Sequence, residues 1–327
     1  MKIAIIGCGG IARTHADSIK KLGHEIVALC DEKIERAEKL RSEYNLESIL
    51  FSDYEKMLDE ISIDVVHICS PHYLHAPMSI AALKRNINVL SEKPVCISFE
   101  QFEQLREACK NSTANFGVCF QNRYNAVQIA LDEIVKKEKP IGIFATVPWK
   151  RDERYYLSTD WRGRKVREGG GVMMNQAIHT LDLVALLMGK PVALTGSVAN
   201  NHLKDVIDEE DMAEMVIEFD SGAIATFYAT TANAFDAPVT MILQTEKGRY
   251  FQIGARLFDQ DYNPVAINES TGVSAKDYWG TGHMLLIRDF YAHVERKEKF
   301  PIGVEEAYRA VSLIDALYRS KGNRIEL

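Results

Sequence analysis

The stretch Lys2-Ile3-Ala4-Ile5-Ile6-Gly7-Cys8-Gly9-Gly10-Ile11-Ala12 decides the fold. Its apolar run reads as a short buried strand, and the amphipathic segment Ile11–Leu22 after the glycines reads as a helix. From Gly7 to Ala12 the spacing fits G-x-G-x-x-A. Gly7 permits the tight turn, Gly9 lets the backbone approach a pyrophosphate, and Ala12 lets the helix pack closely on the strand. Cys8, Gly10 and Ile11 complete a loop whose helix N-terminus offers free N–H groups and a positive dipole end to phosphates. A second strand, Glu25–Cys30, ends at Asp31, about twenty residues on, where a carboxylate binds ribose hydroxyls. That carboxylate would repel a 2′-phosphate, so NAD is the expected cofactor. Lys33 leaves a minority case for NADP.

Outward from this motif, short apolar runs alternate with amphipathic stretches up to about residue 120. Strands are expected at Lys2–Ile6, Glu25–Cys30, Ser48–Phe51, Asp64–Cys69, Ile87–Leu90 and Asn115–Phe120. Helices are expected at Ile11–Leu22, Ile34–Tyr44, Tyr54–Asp59, Ala76–Lys84 and Phe99–Lys110. Such alternation implies a parallel sheet covered on both faces. Beyond residue 120 the pattern changes to a helix, Ala126–Lys136, and longer strands. These are Ile141–Trp149, Val192–Asn200, Met212–Phe219, Ala223–Thr231, Val239–Thr245 and Arg249–Gly254. Asp220-Ser221-Gly222 and Glu246-Lys247-Gly248 read as hairpin turns. Residues 255–282 read as a long loop, and helices Met284–Glu295 and Val304–Arg319 close the chain. The expected fold is α/β: a Rossmann dinucleotide-binding domain, 1–120, and a second α/β domain, 121–327, for substrate and oligomerisation. The second domain should carry a large, mostly antiparallel sheet with one open face, a candidate subunit interface.

Bulk properties exclude several classes. The chain has 327 residues, enough for two cores. Its net charge of −7 argues against a nucleic-acid partner. Met1-Lys2 runs straight into the first strand without a secretory leader, and no apolar run approaches the ~20 residues of a bilayer span. A cytoplasmic protein with no membrane partner is expected. All six cysteines (Cys8, Cys30, Cys69, Cys96, Cys109 and Cys119) fall in the first 120 residues with no CxxC pair. Reduced thiols and no metal site are expected.

Two further constellations carry chemistry. Ser70-Pro71 and Glu92-Lys93-Pro94 end strands on the side where open parallel sheets bind ligands. Pro94 biases Lys93 toward an extended backbone. A lysine there can stabilise a developing alkoxide or pass a proton near the nicotinamide. His75 opens the following helix, where a cofactor-side role and a capping role are both open. The second constellation is Gly169-Gly170-Gly171 followed by Asn175, His179 and Asp182 at i, i+4 and i+7, on one helical face. His179 is the natural acid or base, with an ordinary pKa near ~6.5. Asn175 can orient its imidazole, and Asp182 can partner it or hold the helix. The arginines Arg151, Arg154, Arg162, Arg164 and Arg167, with Lys165, crowd the segment before these glycines. They suit either a phosphate or carboxylate ligand or a solvated loop.

These motifs, in this order and spacing, resemble the glucose–fructose oxidoreductase / inositol dehydrogenase / rhizopine-catabolism (Gfo/Idh/MocA) family over nearly the whole chain. The segments that carry the resemblance are Gly7–Ala12, Ser70 to His75, Glu92-Lys93-Pro94, Gln121-Asn122-Arg123-Tyr124, Asp160-Trp161-Arg162, Gly169–Asp182, and the run from Gly282-His283 through Ser312–Lys321. The resemblance implies NAD(P)-dependent transfer of a hydride to or from a secondary hydroxyl of a sugar, cyclitol or sugar derivative. It implies Lys93 and His179 as the catalytic pair, with Asn175 beside them. The implied cofactor contacts run from the glycine loop through Asp31, Ser70, Pro71, His75, Glu92 and Lys93 to Asn122, Trp161 and Arg162. Asn122 and Arg123 would line the site, and homodimers or homotetramers would form through the open sheet. Where many members carry Asp, this chain has Asn175; a neutral amide cannot raise a histidine pKa by charge. Two other readings remain: a non-catalytic NAD-binding sensor, against which Lys93 and His179 argue, and an NAD-dependent redox glycosidase, whose second-domain signature differs from Ile178-His179-Thr180.

Overall fold

The computed structural model describes residues 1–269 and 280–327. It divides into two compact units, Met1–Phe120 with His283–Tyr308, and Gln121–Gly282 with Arg309–Leu327. Residues 283–308, assigned from sequence to the second domain, belong to the first unit.

In the first unit, strands β1 (Lys2–Ile6), β2 (Glu25–Cys30), β3 (Ile49–Phe51), β4 (Val65–Ile68), β5 (Asn88–Ser91) and β6 (Phe116–Val118) form one sheet in the order 3-2-1-4-5-6. Every pairing is parallel. β1 and β4 are almost wholly buried, as an apolar run covered on both faces requires. Helices α1 (Gly10–Lys21), α2 (Ile34–Tyr44), α3 (Tyr54–Glu60), α4 (His72–Leu83) and α5 (Phe99–Lys110) connect them. The chain order reverses between β1 and β4, the switch point where such sheets open a ligand crevice.

Helix α4 begins four residues earlier than the sequence reading placed it. Pro77 inside it removes the N–H that would bond the Tyr73 carbonyl. The Gln101 side chain donates to that carbonyl instead, at 3.1 Å, so the helix tolerates the proline. Composition around Pro77 alone cannot show a donor arriving from α5.

The second unit holds α6 (Ala126–Lys137), the short helices α7 (Glu153–Leu157) and α8 (Lys165–Glu168), a π-helical turn Met173–Ala177, and α9 (Ile178–Met188). Its strands are β7 (Pro140–Pro148), β8 (Pro191–Ala199), β9 (Met212–Phe219), β10 (Ile224–Thr230), β11 (Thr240–Thr245), β12 (Arg249–Ile253), β13 (Arg256–Phe258), β14 (Pro264–Ile267) and β15 (Ile325–Glu326). They form one sheet in the order 14-13-12-11-7-10-9-8-15. β7 and β10 pair in parallel, and the other pairings are antiparallel. Ile143, Ala145, Val147, Ala225, Phe227, Met215 and Ile217 fill the buried face against α9. The opposite face carries Phe144, Thr226 and Val216 side by side, with Phe144 and Val216 about two-fifths exposed.

Residues 255–269 were expected to be loop. They contain β13 and β14, strands too short to show a period, with β14 at the sheet edge. Asp259 fixes the turn between them by accepting the Asp261 and Asn263 amides, both at 2.9 Å. The rest of that expected loop includes residues 270–279, which lie outside the described residues. The stretch Lys165–Met188 is the one described segment long and apolar enough to cross a membrane, and 89% of its apolar window is buried in the core. Helices α10 (Gly282–Arg296) and α11 (Val304–Ser320) close the chain.

Candidate active site

The carboxyl ends of neighbouring strands gather the nucleotide-side residues in the first unit. Gly7 follows β1 with φ of +88°, and a Cβ there would lie 2.6 Å from the Cys69 carbonyl carbon. Only glycine allows this turn and this approach to β4. A Cβ on Gly9 or Gly10 would meet nothing within 4 Å, and α1 has no side-chain cap. Open room above uncapped amides fits the phosphates of a dinucleotide. Asp31 follows β2 and accepts the amides of Cys8 (2.8 Å) and Lys33 (2.9 Å). Arg36, which the motif reading passed over, places its guanidinium 3.7 Å from the same carboxylate. The Cys8 thiol rests on the Cys30 carbonyl, and burial pushes its pKa up to about 12, so it serves as filler and not as a nucleophile. Ile11 is half-buried and Ala12 fully buried in α1.

Ser70 and Pro71 follow β4, and Glu92 and Lys93 follow β5. His75 was expected on the cofactor side, but the structure gives it another task. Its side chain is buried, with Nδ1 2.8 Å from the Pro94 carbonyl and Nε2 2.8 Å from the Ser70 carbonyl. Burial lowers its pKa, so the neutral ring donates its single N–H to one of these carbonyls while the other nitrogen lies against the second, between the two strand-end turns.

Glu92 is likewise turned inward. Its Oε1 accepts from His15 Nε2 at 3.0 Å and His283 Nε2 at 3.2 Å. Oε2 lies 3.3 Å from the Lys93 amide. The chain continues from His15 Nδ1 to His67 Nδ1 at 2.7 Å and from His67 Nε2 to the Tyr291 hydroxyl at 2.8 Å. One set of tautomers satisfies every link: Tyr291 donates to His67 Nε2, His67 Nδ1–H to His15 Nδ1, and His15 Nε2–H to Glu92. Burial lowers the pKa of both histidines, which suits these neutral forms. Burial alone would raise the Glu92 carboxyl, but the bonds from His15 and His283 hold it well below the usual carboxylate range. Lys93 therefore leaves β5 from a corner braced by a buried anion. The Lys93–Pro94 peptide is cis.

In the second unit, Gly169-Gly170-Gly171 fits against a strand-end loop. A Cβ on Gly171 would lie 1.9 Å from the Glu210 carbonyl oxygen, so no larger residue is possible. The buried Glu210 carboxylate accepts the amides of Gly171 and Met173 and the Tyr318 hydroxyl, each at 3.0 Å. These bonds anchor the π-turn that carries Asn175. The π-turn breaks the uniform i, i+4 geometry assumed from sequence. Asn175 donates its amide to the Glu168 carboxylate, and also to the Tyr155 hydroxyl at 3.3 Å, instead of serving as the simple imidazole partner expected. Glu168 is fully buried and also accepts the Gly163 amide. His179 is 2% exposed and lies 3.5 Å from Gln121 Nε2. Asp182 is clamped by Arg123 through bonds of 2.7 and 2.5 Å, which hold α9 in place. Among the described residues, buried Asn122 has neither amide atom partnered, and Gln121 Oε1 and Gln176 Oε1 are likewise orphaned. Unmatched buried polar atoms of this kind suit a ligand bearing hydroxyls. Trp161 and Arg162 stack together, the guanidinium 5.2 Å from the indole centroid.

Sequence reasoning missed His15, Glu168 and Glu210. Each is a single polar residue without a motif of its own, made significant by a partner far along the chain. Glu168 alone had a signal, standing immediately before the glycine run.

A dinucleotide-type Rossmann unit and a second unit with a histidine-bearing helix behind a glycine run define an oxidoreductase class. Residues 1–120 match the model of the oxidoreductase family with NAD-binding Rossmann fold, and residues 139–251 match the GFO/IDH/MocA C-terminal domain. The chain belongs to the Gfo/Idh/MocA family, as its motifs implied, and NAD is the cofactor of its first domain. It is 26% identical to D-glucoside 3-dehydrogenase of Escherichia coli, over 100% of this chain and 97% of that protein. It is 27% identical to the uncharacterized oxidoreductase YrbE of Bacillus subtilis, over 68% of this chain and 64% of that protein. The WlbA dehydrogenase of Bordetella pertussis, solved with NADH and UDP-GlcNAcA, shares the fold with a TM-score of 0.87 at 23% identity. That match covers 100% of this chain and 98% of WlbA.

Two predictions follow from the two carboxylates. Replacing Asp31 by Ser removes the charge opposed to a 2′-phosphate and leaves Arg36 beside the ribose position. The ratio of kcat/KM for NAD over NADP should fall at least about tenfold in steady-state assays; an unchanged ratio would remove Asp31 from cofactor choice. Glu210 has its pKa raised by burial from 4.5 to about 7. The folded chain then holds one more proton than the unfolded chain between those values, so stability falls as pH rises through that window, by at most about 3 kcal/mol. Thermal melts should show wild type losing several degrees relative to Glu210→Gln between pH 5 and pH 8. A constant offset between the two would mean that Glu210 does not titrate there.

Proposed function

We propose that the protein is an NAD-dependent dehydrogenase or reductase acting on a secondary hydroxyl or carbonyl of a sugar, cyclitol or sugar derivative. The observation that carries this reading is the convergence of Gly7, Asp31, Ser70 and Lys93 at the carboxyl ends of β1, β2, β4 and β5, in a domain of an NAD-binding family. In our reading the Gly7–Ala12 loop, with Cys8, Gly9, Gly10 and Ile11, holds the pyrophosphate, and Asp31 holds the adenosine ribose. Ser70, Pro71, Asn122, Trp161 and Arg162 complete the cofactor and substrate surroundings, while His75 and Glu92 brace them. NAD supplies a hydride acceptor.

Oxidation of an alcohol breaks a C–H bond as hydride and releases one hydroxyl proton. Lys93 and His179 take the proton-handling roles: an ammonium stabilises the developing alkoxide, and an imidazole or amine accepts the proton. Asn175 positions the segment before His179 through Glu168 and Tyr155. The orphaned amides of Asn122 and Gln121 bind substrate hydroxyls. The residues divide as 1–120 for nucleotide binding and 121–327 for substrate and assembly, with 283–308 contributing His283 and Tyr291 to the nucleotide unit. The substrate is a small molecule, and neither nucleic acid nor membrane is a partner in this reading. All six cysteines are free thiols, which suits a cytoplasmic setting that cell fractionation can check.

The same proposal makes the open sheet face of the second unit a homo-oligomer interface. Phe144 and Val216, flanking Thr226 in one row, present apolar area without a partner in the chain, and Ile224 stands half-exposed nearby. A homodimer or homotetramer would cover them.

Assayed with a panel of polyols and sugars by absorbance of reduced nicotinamide, Lys93→Ala and His179→Ala should each lose about 10²–10⁴-fold in kcat/KM while binding NAD normally by calorimetry. Full activity in either variant would remove that residue from the mechanism. Sedimentation should show the double change Phe144→Asp and Val216→Asp dissociating the assembly; an unchanged mass would place the interface elsewhere.

A further inference from the structure

We propose that the nucleotide unit holds a zinc ion in a buried structural site formed by His15, Glu92 and Cys119, with His283 closing the fourth position. No CxxC pair marks such a site along the chain, because its donors come from four separate elements. His15 lies in α1, Glu92 follows β5, Cys119 follows β6, and His283 stands at the start of α10. One ligand atom from each of His15, Glu92 and Cys119 lies within 4.8 Å of the other two. Among the described residues this is the only such group of three or more histidine, cysteine or acidic side chains. Glu92 Oε1 is 3.0 Å from His15 Nε2 and 3.2 Å from His283 Nε2. Neighbouring donors around tetrahedral zinc stand about 3.3–3.6 Å apart, so shifts of roughly half an ångström make room for the ion. His15 and Cys119 are fully buried, while the His283 side chain is 14% exposed. That side chain is the route by which an ion enters, and a turn of its ring completes the coordination.

Charge and hydrogen bonding favour the ion as well. Glu92 is an ionised carboxylate in the core, and it forms an ion pair with no lysine or arginine among the described residues. Zinc with one carboxylate, one thiolate and two neutral imidazoles carries no net charge, as a buried ion site requires. Two imidazoles and a thiol select a cation of borderline softness, whereas magnesium and calcium take oxygen donors. The Cys119 thiol is hydrogen-bonded to Glu92. Metal binding breaks its S–H bond, forms a Zn–S bond and releases the proton to solvent. His15 keeps a single N–H, moved from Nε2 to Nδ1. The buried chain behind it then runs in the opposite sense: His15 Nδ1–H donates to His67 Nδ1, and His67 Nε2–H donates to the Tyr291 hydroxyl. His67 thus orients the ligand imidazole from behind, the support that a metal-bound histidine needs. The ion ties α1 and α10 to the ends of β5 and β6, elements far apart along the chain, directly behind Lys93.

The test uses the full-length, untagged protein, stripped with a chelator and reloaded with zinc or cobalt(II). Elemental analysis should find one zinc per chain. Cobalt(II) should give the intense visible bands of four-coordination and a near-ultraviolet thiolate-to-cobalt charge-transfer band. Competition with a chromophoric chelator should show zinc affinity falling at least about 100-fold in Cys119→Ser and about tenfold in His283→Gln. Cys109→Ser, which removes the one thiol that is not buried, should bind zinc as wild type does. Zinc should raise the wild-type Tm by several degrees, and that gain should shrink in Cys119→Ser. Each variant is first compared with metal-free wild type by circular dichroism. If Cys119→Ser does not fold, the cobalt spectra of wild type and Cys109→Ser decide. No zinc retained by wild type, or a cobalt spectrum without the thiolate band, overturns the site. Zinc held in full by folded Cys119→Ser, or lost from Cys109→Ser, means an adventitious ion only and overturns it equally. None of these readouts depends on turnover, so the dehydrogenase reading stands or falls separately.

Discussion

The close approach of β1 to β4 at Gly7 is the constraint on which the nucleotide unit depends. A backbone at φ +88° packed so near the Cys69 carbonyl leaves no volume for a side chain. That single contact sets the ends of two parallel strands side by side at the point where chain order reverses. Asp31, Ser70 and Glu92-Lys93 then arrive at the same edge because their strands are neighbours of those two. The carboxylate of Asp31 reaches back to the Cys8 amide and so holds the glycine loop in shape.

Two buried glutamates show how surroundings determine charge. Glu92 is surrounded by donors from α1, β5 and α10, and it stays ionised. Glu210 accepts two backbone amides and a tyrosine hydroxyl, yet burial wins and lifts it toward neutrality. Each lies behind a segment assigned to chemistry: Glu92 behind Lys93, and Glu210 behind the π-turn before His179. Neither needs to touch a ligand to matter, because each fixes the backbone from which a side chain proposed for the chemistry is presented.

The second unit treats its cations unequally. Most of its arginines are matched by carboxylates, and the Arg123–Asp182 clamp is nearly buried. Arg162 stacks on the rings of Tyr155 and Trp161 and donates to the Ser158 hydroxyl. The substitution of an amide at position 175 fits the same picture, since the fully buried carboxylate of Glu168 stands directly behind it.

Periodicity and glycine spacing were enough to read the Rossmann unit from the chain. β1, β2, β4 and β5 are apolar runs whose burial leaves little freedom, and the G-x-G-x-x-A turn has few structural alternatives. The placement of Lys93 and Asp31 after strand ends and of His179 in a helix behind the glycine run was legible, because each stands in a patterned segment. The inward turn of Glu92 was not legible, nor was the burial of the His75 ring between the Ser70 and Pro94 carbonyls. The assignment of 283–308 to the first unit, the short strands β13 and β14, and the pairing of Asn175 with Glu168 also stayed hidden. Each depends on a partner tens to hundreds of residues away, or on a segment too short to show a period. Sequence alone determined which strands and turns could form, through local sterics and burial. Tertiary structure alone decided which polar side chains satisfy one another, because hydrogen bonding is settled by distance and direction in space and leaves no periodic trace along the chain.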